Sequence, residues 1–587
     1  MLSTRFVRFA AVAATLALPA QATAQAKAKP TATAPVPAAM AAIKRADLER
    51  DLYAMAGDGM RGREAGTPDE MRASIWVAEQ LRQIGVKPMG LDGTYFQWFN
   101  MVRTRVSTVS TTGAVGDKAL VVWKDFVPLG SANADVNAPI VWVGNGTDST
   151  IDVRGKIAAI QITTPAASAI RTTTNSVEVR YANAAIAAAT QRVQRRGAVA
   201  IILVADSITD LAFDGLGVLR ERGSYDVDGG APRFAGQATQ AARPQAARAA
   251  PTPAFLMRGA MAAALKAGGS VEMHVRVEHF TTPSSNIIGV VRGTDPKLRD
   301  EYVLYSSHQD HDGVRYVIDG DSVWAGADDN GTVSVALLAI ARAFVKQPGK
   351  RSVLFVYHGA EERGLLGSRY HAAHPVVPLP NIVAVLNGDM IGRNNPDSAS
   401  LLGIQPPHRN SIELVDMALR ANTLTGAFKL DSIWDRPTHP EGWYFRSDHV
   451  PYARLNVPAV MYSTNLHPDY HTPRDKPSAI DYPKLTRMTQ WMYLTGWYVA
   501  TTPSARRSTQ DSSSSGERAM MFAFSPLVLH LHHYVTVDHQ RRHLLRRICD
   551  AGIHAPHAGP GVGHWRAVVD RDRSQRNYRT GEAATCR

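Results

Sequence analysis

Cysteine is almost missing from this chain: residues 1–548 contain none, and the only two, Cys549 and Cys586, lie near the C-terminus. The body therefore has neither a disulfide framework nor a thiolate ligand, so any metal it binds is held by nitrogen and oxygen donors. A Cys549–Cys586 bridge is open to an exported chain, but nothing in the spacing demands it. Long apolar runs are missing too. The stretch Phe9–Ala20 follows Arg5 and Arg8 and precedes Ala22-Thr23-Ala24. It is well short of the ~20 residues that cross a bilayer. Positive start, short apolar run and small-residue cleavage site read as a signal peptide over residues 1–24, which implies a periplasmic or secreted protein. No later stretch is long and apolar enough to span, so no stable membrane insertion is expected. There is also no basic helix interleaved with aromatics. The formal charge is +13, yet the last 87 residues alone hold 13 Arg against 7 acids and leave the body only mildly basic. No nucleic-acid partner is expected.

The 587 residues suggest about three or four units. After an Ala/Pro/Lys-rich flexible leader (25–44), helical spacing over Met71–Ile84 and strand-like runs over Tyr95–Val109 open a first unit, 45–119. A β-rich texture occupies 120–269. Its short runs include Ile157–Ile162 and Ala198–Val204. Over 270–502 β-branched runs alternate with helices: strands at Ile287–Val291, Tyr302–Ser306, Val353–Tyr357 and Ile382–Leu386, and helices at Val333–Val345, Leu365–Ala373, Ile412–Ala421 and Leu485–Ala500. The alternation predicts an α/β fold with a mostly parallel twisted sheet and helices on both faces. Residues 503–587 change texture again and read as an atypical, disordered tail.

Chemistry concentrates just beyond the strand ends, where open α/β sheets place their ligand crevice. The segments are Ser307-His308-Gln309-Asp310-His311, Gly326-Ala327-Asp328-Asp329-Asn330-Gly331, His358-Gly359-Ala360-Glu361-Glu362-Arg363-Gly364 and Leu386-Asn387-Gly388-Asp389-Met390. Tyr470-His471-Thr472 lies far downstream. Singly, Asp-Asp before a helix is an N-cap and Glu-Glu opening a helix complements its dipole. Together they bring imidazoles and carboxylates to one sheet edge, a mixed N/O set suited to zinc, cobalt or manganese rather than calcium.

These segments, in this order, resemble the co-catalytic zinc peptidases of metallopeptidase family twenty-eight, which includes leucyl-type aminopeptidases and glutamate carboxypeptidase. Arg61-Gly62-Arg63-Glu64-Ala65-Gly66-Thr67-Pro68 and Ser447-Asp448-His449 also match, so the likeness covers about residues 45–500. The resemblance implies two Zn2+ per chain, with Co2+ or Mn2+ as substitutes. His308 and Asp389 would hold one ion and Glu362 and His471 the other, with Asp328 bridging and Asp310 orienting the His308 ring. Glu361 would be the general base, Tyr470 a hydrogen-bond donor to the developing oxyanion, and the Asp328–Asp329 peptide would be cis. It further implies that 120–269 is an inserted protease-associated domain, marked by Asp152-Val153-Arg154-Gly155-Lys156 and Arg196-Gly197-Ala198. The expected activity is removal of N-terminal residues from peptide substrates. A carboxypeptidase or dipeptidase of the same fold, with Arg393 as a cation for the substrate carboxylate, and a glutaminyl-cyclase-like acyltransferase remain alternatives. Side-chain preference and oligomeric state are not written in these residues.

Overall fold

The computed structural model describes residues 36–166, 177–229 and 252–503. The signal peptide, most of the leader, the tail beyond Pro503 and both cysteines lie outside the described residues. Two large sheets carry the architecture. The first runs, in spatial order, β8-β7-β9-β6-β4-β5-β3-β1-β2, where β1 is Phe96–Val106, β2 Ser224–Val227, β3 Val277–Val291, β4 Tyr302–His308, β5 Ser352–His358, β6 Ile382–Gly388, β7 Ser398–Leu402, β8 Lys429–Leu430 and β9 Ala459–Ser463. The four central strands β5-β4-β6-β9 are parallel, while β1, β2 and β3 pair antiparallel on one flank and β7 pairs antiparallel with β9 on the other. The sheet is thus parallel at its centre and antiparallel where each flank joins it, while β7 and β8 at one edge pair parallel.

Alternation along the central strands divides their side chains between two layers. Val303, Tyr305, Val353, Phe355, Leu386 and Tyr462 face one core, and Leu304, Leu354, Val356, Val385 and Ala459 face the other. Helices α1 (Arg45–Met55), α2 (Pro68–Ile84), α3 (Val333–Lys346), α5 (Ile412–Leu424) and α7 (Tyr482–Thr501) cover the first face. Helices α4 (Leu366–Ala373) and α6 (His449–Arg454) cover the second. In α3 eleven of fourteen residues are buried, among them Leu337, Leu338, Ile340 and Phe344, and each such large side chain contributes about 1.5–3 kcal/mol on leaving water. Helix α2 begins on Thr67, whose side chain accepts from Asp69 N–H, continues with Pro68 in the first turn, and stops at Gly85 with φ 95°.

The second sheet is built from eight strands between Thr112 and Val275 and encloses its own apolar cores, with Ala158, Ile160, Ile201 and Leu203 on one side and Ile157, Ala159, Ile202 and Val204 on the other. Its turn marks meet: Gly155, at φ 68°, donates to the Gly197 carbonyl. Two boundaries differ from the sequence reading. The sheet begins at Thr112 rather than near 120, because Thr112–Val115 pairs with Ser270–Val275. Within 120–269, strand β2 leaves the module and pairs with β1 in the first sheet. No helix among the described residues is long and apolar enough to cross a membrane.

Candidate metal centre

The parallel register sets the site. His308 pairs with His358 at the ends of β4 and β5, Ser306 with Asn387 on β6, and Gly388 with Tyr462 on β9. Each chain then leaves the sheet on the same edge, carrying Asp310 and His311, Glu361 and Glu362, Asp389, and finally His471. Three of these exits use left-handed backbone at non-glycine residues: Ala360 (φ 55°), Met390 (φ 57°) and His471 (φ 49°). Such strain persists only where the surroundings enforce it, and it gathers at functional sites. Arg63 is one enforcing group. It is fully buried, and its guanidinium donates to the carbonyls of Gln309, Met55, Ala325 and Gly326, so it ties the loops after β4 and before α3 together. Asp475 is another, accepting the N–H groups of Asp328 and Asp329.

Two donor clusters result, one of His308, Glu361 and Asp389, the other of His311, Asp329, Glu362 and His471. Asp329 faces both. Its Oδ1 lies 3.2 Å from His308 Nε2 and its Oδ2 3.0 Å from His471 Nε2. His308 Nε2 is 3.7 Å from Asp389 Oδ2 and 3.8 Å from Glu361 Oε2. His471 Nε2 is 3.1 Å from Glu362 Oε1. The chain therefore brings His308 and Asp389 together, and Glu362 and His471 together, with Glu361 beside the first pair.

Three expectations are corrected. Asp328 is in neither cluster: its Oδ1 accepts from Gly392 N–H at 2.7 Å and its Oδ2 faces His467 at 3.4 Å. The carboxylate between the clusters belongs to Asp329, because the irregular backbone at Asp329 (φ −102°, ψ 97°) turns that side chain toward the sheet edge. The cis peptide is Asp329–Asn330, not Asp328–Asp329. Asp310 does not orient the His308 ring through its carboxylate. Its oxygens accept the Glu361 and Glu362 N–H groups at 2.9 and 3.2 Å, while His308 Nδ1 contacts the Asp310 carbonyl at 3.1 Å. Asp310 thus fixes the backbone of the glutamate pair. Tyr470 stacks on His471 with ring centroids 4.0 Å apart, and its hydroxyl accepts from Arg446 at 2.9 Å.

Two functional neighbours escaped the sequence reading. His311 lies 2.8 Å from Glu362 Oε1. Asp312 holds His471 Nδ1 at 3.1 Å and is itself paired with Arg222 at 2.9 Å and Arg315 at 3.1 Å. The signal for both was the run of two further ligand-type residues directly after His308-Gln309-Asp310.

Charge explains why the clusters need a partner. Burial, with the neighbouring Glu362 and Asp389 carboxylates, pushes Glu361 well above the usual range against the pull of His308. Burial acts on Glu362 in the same direction, but His471 and His311 outweigh it and hold that carboxyl well below its ordinary value. Burial works against a charged His308, yet Glu361, Asp329 and Asp389 raise it. His308 Nε2 and Glu362 Oε1 are nevertheless buried with no aligned hydrogen-bond partner. Groups of this kind are costly unless something else satisfies them. The donor separations of 3.0–3.8 Å straddle the roughly 3.3 Å edge of a tetrahedron with zinc–ligand bonds of about 2.0–2.1 Å. The residues fit a metal site.

Residues 286–495, which contain every one of these donors, match the model of peptidase family M28. Aminopeptidase YwaD from Bacillus subtilis (strain 168) is 27% identical over 212 residues, 35% of this chain and 42% of that protein. Leupeptin-inactivating enzyme 1 of Streptomyces exfoliatus is 41% identical over 115 residues, 19% of this chain and 23% of that one. The chain thus spans less than half the length of these curated relatives. A solved zinc aminopeptidase from Bacillus subtilis aligns with TM-score 0.48 at 18% identity, over 81% of this chain and 98% of that one.

Proposed function

We propose that this protein is an exported M28 metallo-aminopeptidase that uses two zinc ions. The observation that carries the reading is the Asp329 carboxylate, whose two oxygens face two separate histidine-containing clusters. His308 and Asp389 would hold one ion, Glu362 and His471 the other, and Asp329 would bridge them. When bound, such divalent ions lower the pKa of a coordinated water and polarise the scissile carbonyl. Glu361 is left for proton transfer: beside the His308 cluster, it would take the water's proton and pass it to the leaving amine. Asp310 positions Glu361 by holding its N–H. Arg446 donates to the Tyr470 oxygen, which leaves the Tyr470 O–H proton free to point at the developing oxyanion.

Exopeptidase polarity rests on less. A carboxypeptidase needs a free cation for the substrate carboxylate, and Arg393 is already paired with Asp469 at 2.7 Å. This favours the amino-terminal direction. Export rests on the signal-peptide pattern of residues 1–24. The eight-stranded module resembles a protease-associated domain in its marks and borders the site through Arg222. The deciding experiment compares hydrolysis of N-terminally free and N-acetylated peptides by metal-loaded protein. Equal rates on both, or cleavage from the C-terminus, would refute the aminopeptidase assignment.

A further inference from the structure

We propose that His311 is a direct metal ligand, so that the site around His471 is a closed set of four protein donors and fills before the site around His308. The inference deepens the metallopeptidase reading and rests on it. His311 Nδ1 lies 2.8 Å from Glu362 Oε1 and 3.9 Å from Asp329 Oδ2, and its donor atom lies within 4.8 Å of each of the others in the cluster.

The bland alternative is a core histidine hydrogen-bonded to Glu362. It does not account for the rest of the cluster. His311 Nδ1 and Glu362 Oε1 are buried 2.8 Å apart without hydrogen-bond alignment, and Nε2 is buried with no partner. Nδ1 is turned into a group of metal-type donors that includes Asp329 and His471 as well as Glu362. The ring is also deliberately accommodated. Gly326, at φ 58°, lies against it, and a Cβ there would collide with the His311 ring. The His311 N–H is held by the Arg63 carbonyl at 3.1 Å, and Arg63 is the residue that clamps the surrounding loops.

The two sites are then unequal. His311, His471, Glu362 and Asp329 complete one tetrahedral set, as in sites that keep no open position. The other has His308, Asp389 and the second Asp329 oxygen, with Glu361 reserved for proton transfer, so it keeps a position open for water or substrate. The closed site binds more tightly and fills first, and the open site carries the reaction.

The test is titration of chelator-stripped full-length protein with Zn2+, followed calorimetrically. Wild type should take up two ions in two resolved steps. His311→Ala should weaken the tighter step at least about 100-fold, the upper limit of what losing an outer partner of a ligand costs, and leave the weaker step within about threefold. His311→Cys, titrated with Co2+, should give a thiolate-to-cobalt charge-transfer band with the first equivalent that wild type lacks, and it serves if the Ala variant does not fold. A smaller loss, or no band, overturns the inference. A wild type that binds one ion, lost in His311→Ala, supports it while refuting the two-metal mechanism. A wild type that binds none refutes both.

Discussion

The two sheets of this molecule are built from similar apolar, β-branched material, yet only one collects chemistry. In the first sheet four parallel strands end in step, so the residues just past each strand converge on one edge, and helices seal both faces around them. In the eight-stranded module parallel strands also occur, at Ile157–Gln161 and Ala200–Val204, but the residues just past their ends bring one carboxylate, Asp206, and it is spent on the Thr209 N–H and the Tyr181 hydroxyl. Parallel pairing supplies an edge; the residues one to four positions past the strand decide whether that edge is a site. One link from the module to the centre is a chain of charge, Arg222 to Asp312 to His471.

The comparison breaks most severely at its shared carboxylate. Asp329→Ala removes a donor from both clusters at once, so neither ion should be retained after dialysis, and peptide hydrolysis should fall at least about 10³-fold, the scale of deleting one electrostatic catalytic group. Asp328→Asn, one residue away, should keep both metals and stay within about tenfold of wild type. Metal analysis beside turnover separates the two, and equal losses would mean the neighbours share the role. The glutamate pair sharpens the same contrast. Glu361→Gln should lower turnover about 10²–10⁴-fold while two ions remain bound. Glu362→Gln should lose metal at the His471 cluster. Identical metal contents in the two variants would reverse or dissolve the assignment of base and ligand.

Legibility in the sequence divides along the same line. The central strands and the helices α3, α4, α5 and α7 were readable because periodicity persists where an element is buried. The donors after β4, β5 and β6 were readable because a strand end limits where the next few residues can go. The Asp328/Asp329 choice was not, since the loop before α3 has no repeating geometry: Asn330 sits at φ −119°, ψ 37°, and no period says which of two adjacent buried carboxylates faces the donor clusters. His311 and Asp312 were passed over because a trailing His-Asp looks like an ordinary polar run until the Arg63 clamp folds it inward. The return of β2 to the first sheet depends on pairing with a strand more than a hundred residues earlier, which no local pattern reports.

Smaller effects probe the link between the regions. Arg222→Met removes the module's contribution to Asp312, but Arg315 at 3.1 Å and Arg363 at 3.6 Å remain beside it. Metal affinity at the His471 cluster should therefore weaken about tenfold, the low end for an outer partner of a ligand, with metal-saturated turnover nearly unchanged. A loss in saturated turnover as large as that of Glu361→Gln would make the module part of the catalytic machinery. Acid stability should depend on the first region. His371 is fully buried against Tyr452, and burial lowers its pKa to about 3. An unfolded histidine titrates near 6.5, so this group leaves stability intact above that pH. It withdraws about 1.4 kcal/mol for each unit of acidification below it, about 2 kcal/mol at pH 5. In metal-free protein, His371→Gln should flatten the fall in denaturation midpoint between pH 7 and pH 5. An unchanged slope would place the acid-sensitive group elsewhere.

The smallest effect is expected at the end of the first region. Helix α7 finishes against the body using contacts that all lie within the described residues: Arg351, buried and paired with Glu301 at 2.7 Å, donates to the carbonyls of Val499 and Thr502 and so satisfies acceptors that a helix terminus leaves open. Trp491 donates to the Ala418 carbonyl on α5, and Tyr493, Leu494 and Val499 are already buried in the main core. Among the described residues, none of the donors of either cluster lies beyond His471. A chain ending after Ser504 should therefore bind the same number of metal ions and hydrolyse peptides within about twofold of the full chain, since surface changes away from such contacts cost little. Metal content and turnover of the shortened chain, measured beside its thermal midpoint, decide the matter. A folded chain that loses an ion or most of its activity would show that residues 505–587 complete the catalytic unit, and the boundary of the first region would have to move past α7.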